Sequence, residues 1–250
     1  MTPASAFALL HGGGHGGWVW EDCGRALETR GAAVLALDVP GCGKKRDRVT
    51  IELGVEAVAD ELLADIAAAG LTDVVLVGHS QAGTMLPVLA ARQPPGLIRR
   101  LVYLSCCAPL PGQNILEMMG EGVRGANPDE VGWPLDPAVH GRDVQRPIMF
   151  CNDMDEAQAR DFLARMDQDS WPMAVTFAVH WSYDHLRGMP STYIVCERDG
   201  ILPVAWQERF AERLQVERVV RIDAGHQAMN TRPEELAELL LAEAAITLSL

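Results

Sequence analysis

A serine at the end of an apolar run is the first place in this chain where chemistry is legible. Val74 to Gly83 reads VVLVGHSQAG, and the apolar stretch stops at Ser80 between residues with almost no side chain. A serine hydroxyl is a weak nucleophile until it is held sharply against a base. A strand-to-helix turn tight enough to expose it leaves no room for bulk two residues before or after it. Those positions are Gly78 and Ala82. The pattern Gly-x-Ser-x-Gly has glycine in the second slot, so Ala82 departs from it by one methyl, with Gly83 following at once. The competing reading is an ordinary strand-to-helix turn with Ser80 as a helix cap.

A nucleophilic serine needs a base and an acid that orients the base. In the α/β-hydrolase arrangement the three come in chain order serine, acid, histidine, each in a loop beyond a strand. Ser191 to Cys196 (STYIVC) reads as a buried strand followed by Glu197, Arg198, Asp199 and Gly200 to Pro203, which leaves Glu197 and Asp199 both eligible as the acid. Val219 to Ile222 (VVRI) reads as the next strand, followed by Asp223, Ala224, Gly225 and His226, then a capped helix from about Thr231. At the other end, Phe7 to Leu10 runs into His11, Gly12, Gly13, Gly14, His15, Gly16 and Gly17. A glycine loop there lets a backbone N–H point into the site and join the N–H after the serine as an oxyanion hole.

These segments resemble the small serine α/β-hydrolases that include plant methyl esterases, the related hydroxynitrile lyases, and bacterial carboxylesterases of the pyrethroid and salicylate esterase type. The resemblance runs through HGGGHGGWVW, LALDVPG, VGHSQAG, PSTYIVCERDGILP and AGH, nearly the whole length. It implies Ser80 as nucleophile, Asp199 as acid through its alignment with Gly200 to Pro203, His226 as base, and the N–H groups of Gly13 and Gln81 as oxyanion donors. In the resembling lyases a lysine follows the histidine and a threonine follows the histidine of the first loop. Here those positions are Gln227 and Gly12, which favours hydrolysis.

Composition agrees with one α/β domain. The chain has 250 residues, 48% hydrophobic, enough for a substantial core. A net charge of −13 argues against nucleic acid as a partner. No apolar run is long enough to span a bilayer, and Met1 to Leu10 lacks a basic leader, so a cytoplasmic protein is expected, without a membrane partner. Cysteines 23, 42, 106, 107, 151 and 196 show no zinc or redox spacing and read as buried thiols. Lys44, Lys45, Arg46 and Arg48 read as a solvated loop.

Alternating strands and helices predict a mostly parallel sheet of about six strands flanked by helices. The strands are Phe7 to Leu10, Val34 to Leu37, Val74 to Val77, Leu101 to Ser105, Thr192 to Cys196 and Val219 to Ile222. Helices are expected at Trp20 to Thr29, Glu52 to Ala69, Ala82 to Arg92, Val204 to Arg213 and Pro233 to about Ile246. The segment Leu110 to Met189 is far longer than a normal connection and predicts a helical lid, residues 110–189, inserted before the last two strands of a core made of 1–109 and 190–250. Within it Glu156 to Met166 reads as a helix. Leaving from the carboxyl end of the sheet, the insertion should roof the site. Gly12, Met118, Met119, Trp133, Phe162, Trp171 and Trp181 are the candidates for lining a substrate pocket, against the alternative that the bulky ones pack within the lid itself.

The remaining histidines read differently. His79 should point away from its neighbour Ser80 and serve as packed support, and His15 should fix the glycine loop. His140, His180 and His185 lack metal-ligand spacing, so no metal and no cofactor are expected. The reaction expected is cleavage of a small to medium, largely apolar ester through an acyl-enzyme, with thioesters and lactones chemically equivalent substrates. The rivals are a hydroxynitrile lyase-like C–C lyase and a ligand receptor on the same fold, and a homodimer remains open.

Overall fold

The computed structural model describes residues 5–166 and 168–246; the first four residues of the leader reading lie outside them. Six strands form one parallel sheet: β1 (Ala6–Leu10), β2 (Ala33–Leu37), β3 (Val74–His79), β4 (Ile98–Leu104), β5 (Ser191–Cys196) and β6 (Arg218–Ile222). Their order across the sheet is β2-β1-β3-β4-β5-β6. The chain therefore winds outward from β1 in both directions, and β1, β3, β4 and β5 are interior. Interior strands covered on both faces read as nearly continuous apolar runs, which is why VVLV, LVYL and STYIVC were recognisable. The edge strands β2 and β6 are only partly buried.

Alternation along each strand divides the core into two layers. Phe7, Leu9, Val75, Val77, Val102 and Leu104 face α1 (Glu21–Glu28) and α9 (Pro233–Ala245), whose Leu27, Leu236 and Leu240 join them. Ala8, Leu10, Leu76, Leu101 and Tyr103 face the opposite way, against α2 (Val55–Ala68), α3 (Met85–Arg92) and α8 (Val204–Arg213). All five expected core helices are present, with ends shifted by a few residues. α2 and α3 each start three residues later than expected, α3 after a 3-10 turn over Ser80–Thr84.

The long connection from β4 to β5 carries α4 (Ile115–Met119), α5 (Arg142–Phe150), α6 (Glu156–Met166) and α7 (Met173–Thr176). Only α6 was expected. α4 starts with a reciprocal capping box between Asn114 and Glu117, and α5 continues through Pro147, a residue that usually ends a helix. The insertion shares its apolar side chains between both core layers. Phe150, Phe162 and Met166 go to one, and Met118, Trp171 and Trp181 to the other. In the basic loop Lys44, Arg46 and Arg48 are exposed and Lys45 is half-buried; Lys45 pairs with Glu61 and Asp65, Arg46 with Asp169, and Arg48 with Glu61. All six cysteines are free and buried. Among the described residues, no helix is long and apolar enough to cross a membrane.

Candidate active site

β3 delivers Ser80 at its carboxyl end in the left-handed region, φ 55°. That conformation is costly for a residue with a side chain and persists only where the surroundings enforce it. Three contacts do so here. A Cβ on Gly78 would lie 2.5 Å from Leu86 Cδ1 and 3.1 Å from Ala82 Cβ, so the helix can return across the strand only over glycine. The methyl of Ala82 fits and is fully buried. A Cβ on Gly83 would collide with the carbonyl oxygen of Cys107, so the loop after β4 requires a glycine at that place. The same loop holds the serine backbone, because the Cys107 N–H donates to the Ser80 carbonyl at 3.0 Å. Among the described residues no side chain caps the turn that starts at Ser80, which removes the helix-cap alternative.

Asp199 and His226, the candidate acid and base, meet across two other loops. Asp199, after β5, accepts four hydrogen bonds: from the Ile201 and Leu202 N–H groups on Oδ1, each 2.7 Å, and on Oδ2 from the Ser105 hydroxyl at 2.5 Å and His226 Nδ1 at 2.6 Å. The side chains of Asp199 and His226 are both inaccessible to solvent. A carboxylate so bound fixes the Nδ1–H tautomer of the imidazole and leaves Nε2 as the basic atom. His226 Nε2 is buried and has no hydrogen-bond partner among the described residues. Glu197 goes elsewhere: it is exposed and lies 3.8 Å from Arg221. Of the two carboxylates eligible by sequence, only Asp199 is brought to His226.

Ser105 was not foreseen. It directly follows β4, beside the elbow after β3, and also adopts the left-handed conformation, φ 41°. Its signal was a serine closing an apolar strand, as Ser80 closes the neighbouring one. Gln207 of α8 was also missed. It takes the Cys196 N–H on Oε1 at 2.9 Å and donates through Nε2 to the Cys196 and Leu202 carbonyls at 2.9 and 2.7 Å, bracing the loop that carries Asp199.

The insertion grips the same loops. Asn152 Nδ2 donates to the Arg198 carbonyl at 2.6 Å, and Asp153 Oδ2 accepts from the Gly225 N–H at 2.7 Å and from the Thr231 hydroxyl at 2.9 Å. Arg124 donates to the Gly200 carbonyl. A Cβ on Gly200 would strike the Ile148 carbonyl and one on Gly225 the Asp153 carboxylate, so both glycines record the closeness of the insertion.

The glycine loop lies against the elbow. A Cβ on Gly12 would be 2.8 Å from Ser80 Cβ and one on Gly13 would overlap the Gln81 side chain. His79 is packed support, as expected, with its Nε2 3.0 Å from the His226 carbonyl and its ring 4.5 Å from that of His226. His15 receives Gln227 Nε2 at 3.0 Å and is ringed by Trp18, Phe150 and Phe162. Burial, then the neighbouring His11 and His226, push its pKa down to about 3. Burial likewise lowers His79 and His11, so all three are neutral rings at neutral pH.

The pocket candidates separate. Phe162 is buried against His15 and Trp18, and Met166 packs on Gly14. Phe150, not foreseen, stands edge-on to His226 at 5.6 Å. Met118 and Met119 are buried in the core layer behind α4. Trp133 is half-buried and donates to the Gly120 carbonyl at 2.7 Å. Trp181 donates to the Gln113 carbonyl at 2.8 Å and lines a groove along α3 with Pro87 and Val88. A cavity of about 460 Å³ beside β2, lined by Trp18, Asp38, Lys44 and Arg165 among others, contains none of Ser80, Asp199 and His226.

The sequence matches the profile of the alpha/beta hydrolase family over residues 7–239. It is 30% identical over 249 residues to a carbendazim hydrolyzing esterase of Nocardioides sp., covering 94% of this chain and 98% of that protein. It is 27% identical over 253 residues to methylesterase 7 of Arabidopsis thaliana, covering 94% of each. Among solved structures it is similar to an extracellular alpha/beta-hydrolase from a Paenibacillus species, with a TM-score of 0.75, 21% identity and coverage of 97% of this chain and 100% of that one. It is also similar to a pyrethroid hydrolase from Sphingobium faniae, with a TM-score of 0.74, 21% identity and coverage of 96% and 97%. At those identities the two structures establish the fold. The profile match and the 30% identical relative show that the chain belongs to the alpha/beta hydrolase family.

Proposed function

We propose that this protein is a serine carboxylic-ester hydrolase that works through an acyl-enzyme. The observation that carries the reading is the 2.6 Å bond between Asp199 and His226, in a buried pair beside a serine elbow held in the left-handed conformation. His226 Nε2 takes the Ser80 proton as Oγ bonds to the ester carbonyl carbon, and the carbonyl π pair moves onto oxygen. The N–H groups of Gly13 and Gln81 bind that oxyanion, each worth about 3 to 4 kcal/mol in comparable sites. As the intermediate collapses, the C–O bond to the alcohol breaks and His226 returns the proton to the leaving oxygen. Water then repeats the sequence on the acyl-enzyme.

Residues 110–189 act as the cap over a core of 1–109 and 190–250. Phe150, Phe162 and Met166, brought by the cap to His226, His15 and Gly14, support a small to medium, largely apolar substrate. The esterase names of the curated relatives support ester cleavage. The lyase alternative is disfavoured, because Gln227 supplies an amide bonded to His15 where the lyases have an ammonium, and Gly12 has no room for a threonine.

The test is steady-state hydrolysis of p-nitrophenyl acetate by wild type and Ser80→Ala, with a serine-directed phosphonate as label. Wild type should turn over and label at Ser80 alone, and the variant should lose about 10⁴- to 10⁶-fold in kcat. Full activity in Ser80→Ala ends the reading, as does mandelonitrile cleavage by wild type that rivals its esterase rate. Negligible turnover by a labelled wild type moves the protein to the receptor class.

A further inference from the structure

Two buried side chains converge on the carbonyl oxygen of Gly12. His11 Nδ1 lies 2.8 Å from it and Trp171 Nε1 2.9 Å. The Val39 N–H donates to His11 Nε2 at 3.1 Å, so Nε2 is the acceptor of that ring and Nδ1 carries its proton. The Gly12 oxygen therefore accepts twice, once on each lone pair. The 3.3 Å separation of Trp171 Nε1 and His11 Nδ1 is the approach of two donors aimed at one oxygen. His11 belongs to the core, but Trp171 comes from the insertion, where it is 4% exposed and meets the His11 ring edge-on.

The Gly12 carbonyl and the Gly13 N–H belong to one peptide plane. Among the described residues there is no cis peptide, so the two bonds point in opposite directions and fixing the oxygen fixes the N–H. Glycine on both sides leaves this peptide with little intrinsic resistance to rotation. A rotated peptide would present a carbonyl dipole of the wrong sign to an oxyanion. Donors aimed at developing charge help in proportion to how well they are held before the reaction.

On the acyl-transfer reading, we infer that Trp171 is a positioning residue for the reaction, its indole N–H locking the peptide that aims the Gly13 N–H at the oxyanion. The insertion thereby takes part in transition-state stabilisation as well as in covering the site. Because His11 still holds the Gly12 oxygen when Trp171 is altered, the loss should be smaller than the 10²- to 10³-fold caused by removing an oxyanion donor outright.

Trp171→Phe removes the N–H and keeps an aromatic ring. A second variant carries 3-benzothienylalanine at position 171, the indole isostere with sulfur in place of N–H, which preserves shape if the phenylalanine variant folds poorly. Each is assayed on p-nitrophenyl acetate and against a trifluoromethyl ketone. The ketone carbon takes the Ser80 oxygen, the proton passes to His226, and the carbonyl oxygen becomes an oxyanion. The expected result for the isostere is a fall in kcat of about 10-fold with KM within 2-fold of wild type. The ketone inhibition constant should rise by the same factor, and the pH profile should not move. Loss of less than 2-fold in both kcat and ketone affinity overturns the inference, as does a change confined to KM. An inactive wild type that also fails to bind the ketone would instead refute the acyl-transfer reading itself.

Discussion

Acidification from about pH 6.5 to 5 should destabilise this protein through its interior imidazoles rather than its carboxylates. His15 ordinarily titrates near 6.5 but is held at about 3 in the folded chain by burial and by the neighbouring His11 and His226. Because the native value lies below the unfolded one, the unfolded state takes up the proton first as pH falls. The stability associated with this ring is complete above about pH 6.5 and drains away toward pH 3. Linkage makes the loss at pH 5 about 2 kcal/mol from His15 alone, with a limiting slope of about 1.4 kcal/mol per pH unit. His79 and His11, fully buried and lowered by the same desolvation, act in the same direction. Carboxylates held below their usual range, such as Asp169, whose burial is outweighed by bonds from Trp18, Gly43 and Arg46, contribute only below about pH 4. The two windows are therefore separable. Urea unfolding at half-unit pH steps, read as a shift of midpoint at constant m, should show stability falling steadily from pH 6.5 to 5, and His15→Asn should flatten that fall by close to the single-ring slope. A wild-type midpoint unchanged across this range would refute the assignment of neutral buried rings.

Three further outcomes follow from the site. Asp199→Asn should lower kcat by about 10⁴-fold through loss of the His226 tautomer, while Glu197→Gln, exposed beside Arg221, should stay within 2-fold; the opposite order in steady-state assays would transfer the acid role. Ser105→Ala removes one donor from the carboxylate oxygen that His226 also uses and should lower kcat about 10-fold with KM unchanged, the scale of a hydrogen bond to a charged group; unaltered kcat would make that bond idle. Gly12→Thr would place Cβ within 2.8 Å of Ser80 Cβ and should cost at least about 10²-fold in kcat by displacing the nucleophile, a result checked by phosphonate labelling rates and disproved by labelling at the wild-type rate.

The sheet and the loops that carry Ser80, Asp199 and His226 were readable because each strand is an apolar run closed by glycine, proline or a polar loop, and those three residues sit at such closures. The insertion was less readable for definite reasons. α5 passes through Pro147, which by local rules ends a helix rather than sitting inside one. α4 did carry its own signal, since Asn114 followed by Glu117 is a capping box, although the helix itself is a single short turn. Trp181 could be identified as bulky and apolar, but its placement along α3 depends on how the insertion folds back, which no periodicity in its sequence encodes. Ser105 and Gln207 act through partners 94 and 11 residues away, and their roles become visible only when strand neighbours are known. The reading of Ala82 as a departure likewise resolves in three dimensions, where the Cys107 carbonyl demands glycine at position 83.

The grip of Asn152 and Asp153 on the loops of Asp199 and His226 bears on how such a protein could be re-engineered or could diversify. An insertion that only shaded the site could be exchanged wholesale, and a new one would bring a new specificity to an unchanged catalytic base. Here the insertion and the loops of Asp199 and His226 are not separate modules. Asn152 holds the backbone just before Asp199 and Asp153 the backbone just before His226, so a transplanted segment lacking this pair would loosen both at once. Variation is correspondingly cheapest in the stretches between the anchors, where side chains can change without releasing either loop. Successful chimaeras should be those whose crossover points keep the Asn152–Asp153 dipeptide in the recipient, with specificity redirected from 111–123 or from 154–165.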